Sequence, residues 1–402
     1  MNIAAMKSES LIAEFRSRFA GEPALFRAPA RVNIIGEHTD YNDGYVLPTT
    51  TALYTSLLIS KRFDRVLHVY SARFDSDVLI DLDDIKRGTD DQWCEYIKGV
   101  AHILQEEGHG LCGADMLVDT EIPLGSGLSS SASLETAVGL ALLDCAGIEI
   151  DRAVLADICH RAEVEFVGVR CGIMDQYTIS CNAAGHAFVL DCRSMGSESV
   201  PLFQEMELLI VDSGVSHQLQ SGDYNSRRDE CEQAVAILKT RLPELASLRD
   251  LSFPELQNVE DLLDDRLFRR CRHVVNEIAR VQVAASALRS ENVEQLGETI
   301  NACHASLRDD YEVSCDELDT LVEIATNCEG VYGARMMGAG FGGCIVSLVA
   351  TPHLEQAIQK IRAEYGRQSG QQPWTHVVRA AQAVHRVESG KPATQALRSG
   401  AP

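Results

Sequence analysis

Positive charge is scarce in this chain: 36 lysines and arginines face 59 aspartates and glutamates, for a formal net charge of −23. Such a balance repels nucleic acid and anionic membrane, so neither is an expected partner. Paired cysteines are lacking as well. The 13 cysteines are odd in number, none stands in a C-x-x-C pair, and Cys145 and Cys344 lie in apolar runs. They read as reduced, packed thiols of a cytoplasmic protein. Cys159, His160 and Cys171 fit no zinc spacing. No apolar run is long enough to cross a bilayer. Met1 to Phe19 mixes acids and bases on an amphipathic pattern and has no signal-peptide core.

What is present begins with length. At 402 residues the chain exceeds the size at which one core stops growing. Two domains are expected, divided near Asn182 to Gly185 into 1–184 and 185–388, with a small, polar tail at 389–402 expected to be disordered. Strand patterns fall at Leu25–Ile35, Thr51–Ser60, Val66–Ser71, Val78–Leu82, Gly185–Asp191 and Glu207–Asp212. Helical spacing marks Tyr96–Glu107, Ser131–Cys145 and Arg152–Val167, and helix dominates from Tyr224 to Asn327. Within that stretch, Cys271, Val274, Val275, Ile278, Val281, Ala285 and Leu288 form an apolar stripe suited to covering a sheet. Arg269, Arg272 and Arg280 are expected to face outward. Ser314 and Glu317 read as a capping box for the helix Cys315–Asn327.

Between Ile122 and Glu135 the chain reads IPLGSGLSSSASLE. Gly125 and Gly127 allow positive φ, so successive N–H groups can turn toward an anion, and a helix opening near Ser129 to Ser131 adds its own free N–H groups and dipole. This is a phosphate cradle without the Lys-Ser/Thr of a P-loop or the third glycine of a dinucleotide fingerprint. Taken alone, it is better read as a plain Gly-Ser turn with Ser129 as helix cap.

A second cluster, Gly338-Ala339-Gly340-Phe341-Gly342-Gly343, carries the letters of that fingerprint. The apolar β-type run Cys344–Ala350 follows it, so it is a glycine loop between extended segments, either a tight hairpin or a close approach to ligand. Arg31 to Gly44, RVNIIGEHTDYNDG, crowds Arg31, Glu37, His38 and Asp40 around a bend at Gly36. That set suits the hydroxyls of a neutral sugar, and equally a solvated turn. In CGIMDQY, Asp175 is a lone carboxylate among apolar or small residues. It is a candidate to accept or orient a hydroxyl proton, or a cap for a helix starting near Gln176.

Together, GEHTDYNDG (36–44), PLGSGLSSSA (123–132), CGIMDQ (171–176), DYNSRR (223–228), SLRDDYEVSCDELD (306–319) and GARMMGAGFGGC (333–344) resemble the galactokinase branch of the GHMP small-molecule kinases. The resemblance runs from about Phe26 to about Leu348. It implies an α+β two-domain fold, an N-terminal ribosomal-protein S5-like α/β domain and a C-terminal ferredoxin-like α+β domain with the active site between them. It implies ATP as co-substrate, Mg²⁺, and D-galactose phosphorylated on its anomeric C1 hydroxyl by a monomer or weak homo-oligomer. By position, Arg31 and Asp175 would be the catalytic pair. Glu37, His38, Asp40, Gly172, Asp175 and Tyr224 would hold the sugar. Ser131 and Glu163 would hold Mg²⁺, as hard oxygen ligands should. Trp93 would stack on adenine, Gly125, Ser126, Gly127, Leu128, Ser129, Ser130 and Ser131 would wrap the phosphates, and Ser71, Gly338 and Gly340 would complete the ATP site.

Three positions depart from the usual wording of that branch: Ala30 and Ala339 stand where glycine is typical, and Met337 where threonine is frequent. If position 30 needed positive φ, alanine there would cost about 1 kcal/mol and shift Arg31. The rival readings are a related kinase of N-acetylgalactosamine or arabinose, and a non-catalytic sensor that binds sugar and ATP. Such sensors lack the Ser-Ala pair that Ser131 and Ala132 supply here.

Overall fold

The structure, a computed structural model, describes residues 3–88, 92–216 and 221–388. The tail expected to be disordered, 389–402, lies outside the described residues. In chain order the first part comprises α1 (Ile3–Arg18), β1 (Ala24–Ile35), β2 (Tyr45–Lys61), β3 (Val66–Ser71), β4 (Ser76–Asp81), α2 (Gln92–Glu106), β5 (Ala114–Thr120), α3 (Ser130–Ala146), α4 (Arg152–Arg161), α5 (Met174–Cys181), β6 (His186–Asp191) and β7 (Ser197–Pro201). The second comprises β8 (Met206–Ser216), α6 (Ser221–Leu238), α7 (Phe253–Gln257), α8 (Asp265–Arg289), α9 (Val293–Asp309), α10 (Asp316–Thr326), β9 (Val331–Met336), β10 (Gly342–Ala350), α11 (Leu354–Ser369), β11 (Trp374–Val377) and β12 (His385–Arg386).

Among the described residues eight strands form the first sheet, in the order β12-β1-β2-β5-β3-β4 with β6 and β7 branching from β2, and of their pairings only β3–β5 is parallel. The long β2 makes the branch possible. Its end from Thr55 to Lys61 pairs with β5, while Tyr45, Val46 and Thr49 pair with β6. Four antiparallel strands, β11-β8-β10-β9, form the second sheet. This is the α+β architecture that the resemblance implies. Sheet membership does not change at residue 184, however: β6 and β7 still belong to the first sheet, the second begins with β8, and β12 returns to β1.

β1 is buried along nearly its whole length because it is covered on both faces. On one side Leu11 and Phe15 of α1, with Phe19 just beyond its end, pack on Leu25, Leu58 and Leu117. On the other, Phe26 and Ala28 join α2 and α3 through Ile97, Leu104, Ala137 and Val138. Farther along, Val32, Ile34 and Ile35 enter a different core, shared with Val274, Ile278 and Val281 of α8 and with Ile210 and Ile345 of the second sheet. One strand therefore enters three hydrophobic clusters, and the residues that follow it emerge between the two sheets.

Several local expectations are corrected. Helix α10 has Cys315 at its N-cap with no side-chain cap, and the Ser314 hydroxyl bonds Asp319 instead of forming a box with Glu317. The helix from Arg152 ends at Arg161 and widens into a π-helical turn over 162–167, closed by Gly168 at φ 91°. Arg280 is turned inward onto Glu277. Ala30 is buried in β1 without positive φ, so alanine carries no backbone penalty there.

Candidate active site

The glycine-serine turn and the loop between β9 and β10 press against each other. A Cβ on Gly127 would lie 3.2 Å from the Met337 carbonyl, and one on Gly338 would lie 3.1 Å from the Gly127 Cα. Both glycines have positive φ, 73° and 79°, so a side chain at either would be strained as well as crowded. Ser129 precedes α3 in a left-handed conformation (φ 60°, ψ 53°), and its side chain does not cap the helix. Its hydroxyl donates instead to Asp175 Oδ2. Among the described residues the first N–H groups of α3 therefore find no acceptor, and they stand at the positive end of the helix dipole.

Arg31, at 5% exposure, is locked into this turn. Its main-chain N–H donates to the Leu128 carbonyl at 3.2 Å, and its Nη1 donates to the Gly127 carbonyl at 2.9 Å. Nε donates to Asp175 Oδ1 at 2.7 Å, and Nη2 reaches the same oxygen. Asp175 lies in the first turn of α5 and does not cap it; the surroundings expected to be apolar or small prove to be an arginine and a serine. About a quarter of the Asp175 side chain, 26%, stays exposed.

The next residue, Gln176, is fully buried and its Nε2 donates to Glu135 at 2.9 Å and to Glu163 at 2.6 Å. Burial, followed by the charge of Asp175, pushes Glu163 up to about 7, against hydrogen bonds from Ser131, Gln176 and Cys171 that favour its charge. Burial, and then Glu163, drives Glu135 well above the usual carboxylate range. A hard divalent cation fits this donor set. The Ser131 hydroxyl favours the charged form of the Glu163 carboxylate, which has no ion pair with arginine or lysine among the described residues, so such an ion would supply its counter-charge.

Around the bend after β1, His38 adopts φ 63°. Its Nδ1 accepts from the Tyr41 hydroxyl at 2.8 Å, and its Nε2 donates to the Ala339 carbonyl at 3.2 Å. Burial drives its pKa down to about 3, so the ring is neutral. Tyr224 of α6 packs on it with ring centroids 5.6 Å apart. Asp40 lies against Gly172, where any side chain would collide with its carboxylate. Burial, followed by Asp175, pushes Asp40 up to about 7. Glu37 is turned away from these groups: Oε1 accepts from Arg335 at 3.0 Å and from the Gly338 N–H at 2.9 Å, and Oε2 from Asn33 at 3.1 Å.

The structure thus brings Arg31, Asp175, Asp40, Gly172, His38, Tyr224, Glu163, Ser131 and the turn 125–131 to one seam. Ser71 and Trp93 gather around the β3–β4 turn instead. Ser71 ends β3 opposite Ser76, and Trp93 stacks on Phe74 at 6.0 Å and 16°. The Gly338 N–H is taken by Glu37, and Gly340 (φ 86°) is pressed onto the Val313 carbonyl. Sequence reasoning missed Arg335, Gln176 and Glu135. Only Arg335 left a signal, a lone cation inside the strand VYGARM.

Two facing glycine loops, a helix N-terminus and a part-buried Arg–Asp pair between two sheets define a small-molecule kinase of the GHMP type. The family description for the GHMP kinase N-terminal domain matches residues 95–183, that for its C-terminal domain matches 284–367, and the galactokinase galactose-binding signature matches 13–61. The chain belongs to the galactokinases. It is 43% identical to the galactokinase of Chloroflexus aggregans over 88% of this chain and 91% of that one, and 42% identical to that of Chloroflexus aurantiacus over 90% and 93%. Lactococcus lactis galactokinase complexed with galactose superposes with a TM-score of 0.92 at 36% identity, over 95% of this chain and all of that one. The mevalonate kinase of Methanococcus jannaschii, at 16% identity and TM-score 0.62, shares the fold.

Proposed function

We propose that the chain transfers the γ-phosphoryl group of ATP to the anomeric C1 hydroxyl of D-galactose, giving galactose 1-phosphate and ADP. The observation that supports this most is the joining of Asp175 to Arg31 and Ser129 beside the glycine-serine turn. It sets a hydroxyl-orienting carboxylate next to a phosphate cradle. In the transfer, the sugar O1 bonds to phosphorus, the bond to the β–γ bridging oxygen breaks, and the O1 proton passes to Asp175. Arg31 fixes that carboxylate and faces the charge that develops on the phosphoryl oxygens. The free N–H groups of Ser130 and Ser131 cradle the phosphates.

Ser131 and Glu163 hold Mg²⁺, which neutralises phosphate charge when bound. Asp40, His38 and Tyr224 hold the sugar, and Glu37 contributes by tying their loop to Arg335 and Gly338. Phosphoryl transfer of this kind is chiefly positioning and charge neutralisation, which these groups supply. No helix among the described residues is long and apolar enough to cross a membrane. The purified protein with Mg-ATP is expected to release ADP with D-galactose, and far less with N-acetylgalactosamine, arabinose, glucose or mevalonate. Turnover of another of these acceptors without turnover of galactose would overturn the substrate assignment.

A further inference from the structure

We propose that Glu277 and His273 of α8 are positioning residues for the loop Gly36–Asp40, setting the backbone that presents His38 and Asp40 to the sugar. This rests on the galactose-kinase reading above. The Gly36 N–H donates to Glu277 Oε1 at 2.9 Å, and His273 Nε2 stands 3.2 Å from the Glu37 carbonyl. A carbonyl only accepts, so Nε2 carries the proton and donates. Two consecutive residues of the loop are thus held by one helix more than two hundred residues away.

The loop is one that needs holding. Gly36 (φ 105°) and His38 (φ 63°) both lie in the left-handed half of backbone space, which non-glycine residues keep only where the surroundings over-determine it. Gly36 has no room to shift: a Cβ there would lie 2.8 Å from the Tyr45 carbonyl and 2.9 Å from Val281. The choice of side chains on α8 points the same way. Both His273 and Glu277 have 0% exposure, and Glu277 is secured by Arg280 at 2.7 Å and the Cys303 thiol at 2.9 Å. Apolar residues would fill this space at lower cost, but would leave the Gly36 N–H without an acceptor. Both residues act through the loop's backbone.

Steady-state kinetics on Glu277→Ala, His273→Ala and His273→Gln test this. Each alanine variant is expected to raise KM for galactose about tenfold while KM for ATP stays within about twofold, the scale of one lost buried hydrogen bond. His273→Gln keeps an N–H donor and is expected to restore most of the galactose KM. A purely structural role would lower the yield and thermal midpoint but leave the galactose KM of the folded enzyme unchanged. That result overturns the proposal. Should Glu277→Ala not be recovered folded, the two His273 variants decide it between them. Wild-type protein inert toward galactose would remove the underlying reading; an active wild type with unshifted variants removes the positioning role alone.

Discussion

Two sets of buried or half-buried carboxylates lie side by side and follow opposite rules. In the proposed reaction centre, Asp40, Glu135 and Glu163 have no ion pair with arginine or lysine among the described residues, and burial pushes Asp40 and Glu163 up to about 7. In the wall behind it each carboxylate has its arginine: Glu37 with Arg335 at 3.0 Å, and Glu277 with Arg280 at 2.7 Å. Burial would raise Glu277, but Arg280 and His273 outweigh it and hold the group down at about 2. The difference teaches how labour is divided. Unpaired carboxylates keep a cost that an incoming cation or sugar hydroxyl relieves, whereas paired ones give a wall that does not move. Asp175, paired with Arg31 yet about a quarter exposed, stands on the border between the two.

The comparison breaks first at that border. Asp175→Asn is expected to leave the fold intact and cut turnover roughly a thousandfold, read as ADP release with saturating galactose and Mg-ATP. Near-normal turnover would place the chemistry elsewhere. On the wall, Arg335→Met is expected to cost about 3 kcal/mol in urea unfolding, because it leaves Glu37 buried without its partner. A neutral result would make the wall no different from the centre.

Within the centre the sign reverses. The folded-state value of Asp40, about 7, lies above its ordinary 3.8. The native state therefore holds a proton that the unfolded chain has released, and this stabilisation is complete below about pH 4 and lost as pH rises toward 7. Asp40→Asn is expected to stabilise the ligand-free protein by about 2 kcal/mol at pH 8 and by almost nothing at pH 4. An equal effect at both pH values would show that the carboxyl does not titrate as its burial requires. The smallest effect concerns neither set. Ala30→Gly is expected to destabilise by about 0.5–1 kcal/mol, since this position lacks positive φ and gains nothing from glycine.

Much of the frame was legible in the letters. The strand pattern over Val66–Ser71 matches β3 end to end, and the helix expected from Ser131 to Cys145 is α3 with one residue more at each end. The candidates Arg31 and Asp175 were visible as charges in unusual company, and the structure joins them. What escaped was long-range. Counting apolar residues on α8 found its stripe but passed over Arg270, His273 and Glu277, which are buried on the same helix. Nothing near Glu37 announces that its partner is Arg335, 298 residues on. Ser129 passed for a helix cap because its neighbours permit that role, and Asp175, 46 residues away, claims it instead.

By itself the sequence determined the glycine turns, the periodicities that make strands and helices, and the short motifs that mark a galactokinase. These depend on steric freedom and spacing within a few residues. Only the tertiary structure decided which carboxylates are paired and which are left poised, that the loop after β1 is gripped from α8, and that the glycine loop after β9 closes on the phosphate turn. The energy of a buried charge or a strained peptide is set by the groups packed against it, and those arrive from anywhere in the chain.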